Sequence, residues 1–361
     1  MNMEHIEGEK QVPVTILLQK AKELGASDLQ LTVGVPPILK VKGTLLTIGT
    51  EMLLPKDTER LVRELFQSEA HLNAYLEEGD QDFSISLPGS GRFRVNTFMQ
   101  RGSMAASVRI VHTVLPNPLE LGIPQTVLDM HTYNKGLVLV TGPTGSGKST
   151  TLSCLVDLVN QTRNCHILTL EEPIEFLHRH NRSIVNQREI GQDTKNYTRA
   201  LRSALRESPD VILLGEMRDL ETMSIAMTAA ETGHLVFSTL HTVGAAKTID
   251  RIIDVFPPNQ QQQIRVQLST VLQAVVSQQL VPSHVKGRVA SFEIMIVNNA
   301  IRNMIRESKT FQMDAAIQMG RNSGMVSMDG SLAQLVKDGL IAREDAMLYC
   351  VNQDVLSRLL A

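Results

Sequence analysis

Residues 142–150 read Gly-Pro-Thr-Gly-Ser-Gly-Lys-Ser-Thr, and no other stretch limits the possible folds of this chain so strongly. The spacing fits G-x-x-x-x-G-K-[ST], in which glycines let the backbone wrap a phosphate with its N–H groups turned inward. Such a loop has meaning only between a buried strand and a helix. Leu137-Val138-Leu139-Val140 before it is a short, β-prone apolar run. Leu152, Leu155, Val156 and Val159 after it recur at the spacing of one helix face. The helix N-terminus adds a positive dipole end. Gly142, Thr144, Gly145, Ser146 and Gly147 would form the cradle, with Thr150 closing the motif. Lys148 would reach the β- and γ-phosphates, and the Ser149 hydroxyl would ligate Mg²⁺. The expectation is a protein that binds a nucleoside triphosphate.

A chain of 361 residues exceeds the size at which single cores usually split, so two domains are expected. The net charge of −3 argues against a globally basic nucleic-acid binder. Cys154, Cys165 and Cys350 are scattered and form no CxxC pair, which reads as reduced thiols and not as a disulfide frame or zinc site. Met1 to Lys10 is polar, without a signal-peptide core, and no run approaches the ~18 apolar residues of a membrane span. These features predict a cytoplasmic protein that meets a membrane only through a partner.

Residues 1–11 read as a polar lead. The segment 12–114 predicts an α+β domain with an antiparallel sheet. Its first helix runs from Val14 to Leu24, with Ile16, Leu17, Ala21 and Leu24 on one side and Gly25 as the stop. Strands follow at 29–33 and 38–41, one or two helices between Leu54 and Leu76, and strands at 82–87, 92–100 and 104–110. Turns at Pro88–Gly91 and Arg101–Ser103 join the last three. Pro116, Pro118 and Pro124 mark a linker over 115–134. From Lys135 onward strands and helices alternate, which predicts an α/β domain over 135–361 with a parallel-type sheet and ligands at the carboxyl ends of its strands. Strands are expected at 137–141, 166–170, 211–215 and 235–240. A glutamine-rich helix is expected over 259–281 and a strand near 289–297.

Two further strands carry acids. The run 167–176 (Ile-Leu-Thr-Leu-Glu-Glu-Pro-Ile-Glu-Phe) delivers Glu171, Glu172 and Glu175 to a strand's carboxyl end, where one could orient an attacking water. A solvated acidic turn is the competing reading. The run 210–219 ends a second apolar strand at Glu216, set off by Gly215. Such an acid can hold Mg²⁺ through its water shell. Its other reading, an N-cap for the next helix, suits Asp219 better. His234 and His241 bracket a third strand. Seven steps at ~3.3 Å span about 23 Å, so the two cannot share one metal or phosphate. By this spacing His241 is the candidate phosphate sensor and His234 an interface or core residue. Arg92 and Arg94 alternate with Phe93 and Val95 and belong on a polar strand face. The turn through Gly102 brings Arg109 roughly beside Arg94. A solvated face is the ordinary reading; arginine fingers that complete a nucleotide site are the other.

With these segments in view, the chain resembles the type IV pilus retraction motors (the PilT family) among the secretion-type hexameric ATPases. The residues that carry the likeness are 142–150, LEEPIEF at 170–176, LRSALRESPDVILLGEMRDLET at 201–222, AAETGHLVFSTLHT at 229–242, AIRNMIRE at 300–307, GASDLQL at 25–31 and GRFRVNTF at 91–98. The resemblance implies a PAS-like N-terminal domain, a RecA-like ATPase domain and a homohexamer that hydrolyses ATP with Mg²⁺. It implies Glu175 as the catalytic glutamate, Glu216 as the metal-side acid, Arg94 and Arg109 as arginine fingers, and catalytic standing for both His234 and His241. It also implies an inner-membrane pilus platform protein as partner, with no nucleic acid, and ties 300–307 to retraction. Read directly, 300–307 is an amphipathic helix with Ile301, Met304 and Ile305 on one side and Arg302 and Arg306 on the other.

Two departures bear on this likeness. Glu172 stands where the family usually has Asp. The extra methylene moves a carboxylate by about 1.5 Å, and a 1 Å misplacement can cost ~100-fold, so the essential base is not placed there. The four-cysteine insertion and longer N-terminal region usual in assembly and secretion relatives are missing, which favours retraction. An accessory ATP-binding ring with little hydrolysis is one alternative, and a pilus-assembly or secretion ATPase another. A nucleic-acid translocase is a further rival. Four tyrosines, nine phenylalanines and no tryptophan offer such a protein little for base stacking.

Overall fold

The structure is a computed structural model that describes residues 12–87, 91–111 and 115–361. The polar lead, the Pro88–Ser90 part of the first expected turn and the expected domain end near Thr113 lie outside those residues. The chain divides into two compact units, Met1–Val114 and Leu115–Ala361.

The first unit is built on a six-stranded antiparallel sheet in the order β3-β2-β1-β6-β5-β4. Its strands are β1 (Ala26–Leu31), β2 (Ile38–Val41), β3 (Thr44–Thr47), β4 (Asp80–Leu87), β5 (Gly91–Gln100) and β6 (Ser103–Val111). Alternation sets the faces: Phe93 and Val95 are buried while Arg94 between them is exposed. Helices Val14–Glu23, Pro55–Leu65 and Glu69–Glu78 complete the unit. The first buries Val14, Leu17, Leu18 and Ala21, so its core face is turned from the expected one, and Ile16 and Leu24 are exposed. β3 is fully exposed and only four residues long, too short to announce itself by periodicity.

The second unit holds a seven-stranded sheet in the order β13-β12-β7-β11-β10-β8-β9. The strands are β7 (Gly136–Thr141), β8 (His166–Glu171), β9 (Ile184–Glu189), β10 (Val211–Leu214), β11 (Leu235–Leu240), β12 (Leu272–Ser283) and β13 (Gly287–Ile296). All neighbours run parallel except the β12–β13 pair. Every residue of β7, β10 and β11 is buried, the continuous apolar pattern of strands covered on both faces. Leu137 and Leu139 of β7 face one core and Val138 and Val140 the other. Ile123, Val127, Leu128 and Met130, from the stretch read as a linker, are buried in that second core. The glutamine-rich helix stops at Val271, and the next twelve residues form β12. Pairing of Leu272–Ser277 with β7 overrides the helical reading there. β9 was hidden because Ile184–Glu189 is mostly polar. Three C-terminal helices, Met328–Lys337, Arg343–Tyr349 and Gln353–Leu360, bury Leu332, Ala346 and Leu356 against Val281.

The register brings the carboxyl ends of β7, β11, β10 and β8 to one edge of the sheet. The loops that follow them carry the glycine-rich segment, His241, Glu216 and the acids at 171–175. Phe237, fully buried at the centre of β11, anchors this arrangement. Phe237→Ala is expected to lower the unfolding free energy by about 3–5 kcal/mol, measured by urea titration.

Candidate active site

The glycine-rich loop is held by backbone that only glycine adopts at low strain. Gly142, Gly145 and Gly147 have φ of 142°, 77° and 89°. A Cβ on Gly142 would sit 2.1 Å from the Gln278 carbonyl oxygen, and one on Gly147 2.8 Å from Gln278 Nε2. Gln278 of β12 therefore presses on the loop from below, and its Oε1 also accepts a 2.7 Å hydrogen bond from Thr151 Oγ1. No local pattern pointed to Gln278, because the residue fell inside the stretch read as helix.

Lys148 opens the helix Lys148–Thr162 and is buried. Its Nζ donates to the carbonyls of Gly142 at 2.9 Å and Pro143 at 3.0 Å. Burial holds its ammonium below the usual lysine range, and the charges of Glu216 and Glu175 offset part of that shift. Ser146 Oγ is buried without a hydrogen-bond partner and packs against Gly142, 2.8 Å from where a Cβ there would sit.

A cavity of about 320 Å³ opens over the loop. Thr144, Gly145, Lys148 and Ser149 line one side, and Glu171, Glu172, Glu175, Glu216, His241, Tyr197 and Arg218 line the rest. Glu171 is buried, and burial pushes its carboxyl up, countered by hydrogen bonds from Thr169 and Gln187. Glu172 and Glu175 are exposed to the cavity. Glu216 has 13% of its side chain exposed, contacts Arg218 Nε, and lies 3.2 Å from His241 Nε2. Asp219 caps the next helix by accepting from Thr222 N–H, which leaves Glu216 free of that duty. Tyr197 was missed by sequence reasoning. Burial and the nearby Glu172, Glu216 and Glu171 push its hydroxyl far up, so it stays a neutral donor beside Gly215.

Other expected site residues are not among those that line the cavity. Gly142, Ser146, Gly147 and Thr150 frame the loop without lining the cavity. His234 sits at the amino end of β11, its Nδ1 2.9 Å from the Ala229 carbonyl, as the spacing of the two histidines required. Arg94 and Arg109 belong to the first unit, where they face each other across β5 and β6 in direct register. Arg109 Nε pairs with Asp28 at 3.0 Å. The helix Asn299–Arg306 buries Ile301 and Ile305, and Arg302 donates to the carbonyls of Ser269 and, at 2.8 Å, Thr270. Among the described residues no group of three or more His, Cys, Asp or Glu could hold a metal ion.

A phosphate cradle that faces carboxylates borne by adjacent parallel strands marks a P-loop ATPase. Residues 79–347 match the family model described as type II/IV secretion system protein. The type IV pilus retraction ATPase PilT of Pseudomonas aeruginosa is 49% identical over 333 residues, covering 92% of this chain and 96% of that protein. A twitching motility protein of Neisseria gonorrhoeae is 46% identical over 341 residues, covering 92% and 91%. The crystal structure of the pilus retraction motor PilT with bound ADP superposes with a TM-score of 0.91 at 47% identity, covering 96% of this chain and all of that one. The chain belongs to the type II/IV secretion system ATPases and, within them, to the PilT family of type IV pilus retraction ATPases.

The tight fit under Gly142 gives a direct check. Gly142→Ala would add strain of about 3 kcal/mol at positive φ, so ADP affinity should fall ~100-fold in a fluorescent-nucleotide titration. The melting temperature of the protein without nucleotide should also fall by several degrees, because the Cβ would meet the Gln278 carbonyl in the empty cradle as well.

Proposed function

We propose that the chain works as a homohexameric, Mg²⁺-dependent ATPase in the cytoplasm, and that its turnover powers retraction of type IV pili. The observation that carries this reading is the cavity itself, which joins the P-loop lysine to acids on two other strand ends and a histidine on a third. Lys148, the loop N–H groups and the helix N-terminus would hold the phosphates. Ser149 and Glu216 are hard oxygen donors in one cavity, a donor set that suits Mg²⁺. The ion, when bound, would neutralise phosphate charge.

Charge balance supports a contribution from outside this cavity. Four carboxylates line it against the cations of Lys148 and Arg218. A triphosphate adds further negative charge, so its transition state needs extra cations. Arg94 and Arg109 are suited to that role. Like charges directly opposite in a sheet destabilise it, yet these two are paired in register and exposed. As arginine fingers, in cis or from a neighbouring subunit, they would bind the terminal phosphate and let go after its release, which frees the first unit to move. Glu175, exposed in the cavity and close enough for its charge to act on Lys148, would orient the attacking water. His241, beside Glu216, would sense the terminal phosphate, and His234 would act at a distance from it.

The work output follows from the family: motion of the ring acts on an inner-membrane platform protein, and pilin subunits leave the fibre base. Recruitment to the membrane would be through that partner; no helix among the described residues is long and apolar enough to cross a bilayer. Nucleic acid has no part in this reading.

Glu175→Gln should keep nucleotide affinity within about twofold and reduce turnover by ~100-fold or more, measured by phosphate release. Normal turnover in that variant would remove Glu175 from its role. Deleting the gene should raise the number of surface pili and abolish twitching, scored by electron microscopy and a motility assay. A cell without pili would point to assembly instead.

A further inference from the structure

β9 contributes no residue to the cavity, but two of its side chains reach the loop that carries Glu175. Val185, Gln187 and Glu189 share one face of the strand, with Asn186 and Arg188 on the other. Gln187 Nε2 donates to the Phe176 carbonyl at 2.9 Å and to Glu171 Oε1 at 3.2 Å, while its Oε1 accepts from His178 N–H at 2.8 Å. Glu189 Oε2 accepts from Ile174 N–H at 2.9 Å in a fully buried contact. These anchors fall on both sides of Glu175. The backbone around Glu175 is thus tied at 174, 176 and 178, while its side chain stays open to the cavity.

Apolar packing alone would hold a surface loop at lower cost. Burying the carboxylates of Glu171 and Glu189, 7% and 3% exposed, is unfavourable unless each is well hydrogen-bonded. What such bonds add is direction, because charge-assisted hydrogen bonds fix angle as well as distance. We infer that Gln187 and Glu189 are positioning residues that hold the 172–178 loop so that the Glu175 carboxylate is set for the attacking water. This rests on the reading of Glu175 as the group that orients that water.

The test compares steady-state ATP hydrolysis and ADP affinity of full-length Gln187→Glu, Glu189→Ala, Glu189→Gln and Glu175→Gln proteins. Gln187→Glu is nearly isosteric and keeps the acceptor for His178 N–H. It loses both donated bonds and sets a second carboxylate against Glu171. Its kcat should fall at least ~10-fold, with KM for ATP and ADP affinity within about twofold, because the phosphate cradle is untouched. Glu189→Ala should behave alike, while Glu189→Gln, which keeps an oxygen for Ile174 N–H, should stay within about threefold of the parent kcat. Amide exchange should quicken in 172–178 and not elsewhere. Normal kcat in Gln187→Glu and Glu189→Ala, beside an inactive Glu175→Gln, would overturn the positioning role and leave the base in place. An active Glu175→Gln would instead overturn the base. Parallel loss of kcat and ADP affinity, or faster exchange throughout the unit, would reduce β9 to a structural strand and also overturn the inference.

Discussion

Everything at the nucleotide end of this molecule depends on the hydrogen-bonded register of four parallel strands. β7 pairs with β11, β11 with β10 and β10 with β8, so four carboxyl ends share one edge. A parallel sheet covered on both faces offers few other places for polar chemistry, since its interior is mostly apolar. The cradle, the histidine and the acids collect there because the strands that bear them are locked side by side. Gly215 N–H donating to the Leu170 carbonyl at 2.8 Å, and Thr239 Oγ1 to the Gly215 carbonyl at 2.7 Å, extend the lock into the loops.

Electrostatics then shapes the cleft. Lys148 is desolvated and satisfied for the moment by its own loop carbonyls. A phosphate oxygen can replace those neutral acceptors with a charged one, so ligand binding is favoured by the same burial that disfavours the free ammonium. The acids opposite are graded by environment. Glu171 is buried and accepts two hydrogen bonds at Oε1, Glu216 is held by Arg218 and His241, and Glu175 keeps an open side chain. Groups of one chemical type thereby acquire different capacities.

Much of this was legible beforehand. β2 and β11 lie where hydropathy put them, and β7, β8 and β10 within a residue, because buried strands leave apolar runs that turn residues punctuate. The facing of Arg94 and Arg109 followed from counting outward from Gly102. What the sequence concealed was polar or short. β9 lacks an apolar run, β3 is exposed throughout, and β12 begins inside a helical pattern. The face of the first helix was misjudged because Ile16 and Leu24 are apolar yet exposed, and apolar residues are not obliged to be inside.

By itself the sequence determined where a glycine-rich cradle joins a strand to a helix, and that acids would stand at strand tips. Those are local facts, set by spacing within a few residues and by the period of a strand or helix. Only the tertiary structure decided which distant side chains support them. Gln278 lies far along the chain from the glycines it presses on, and Gln187 and Glu189 reach the Glu175 loop across a strand pairing. Contacts of that kind depend on the order in which strands assemble into the sheet, and no periodicity within one segment records that order.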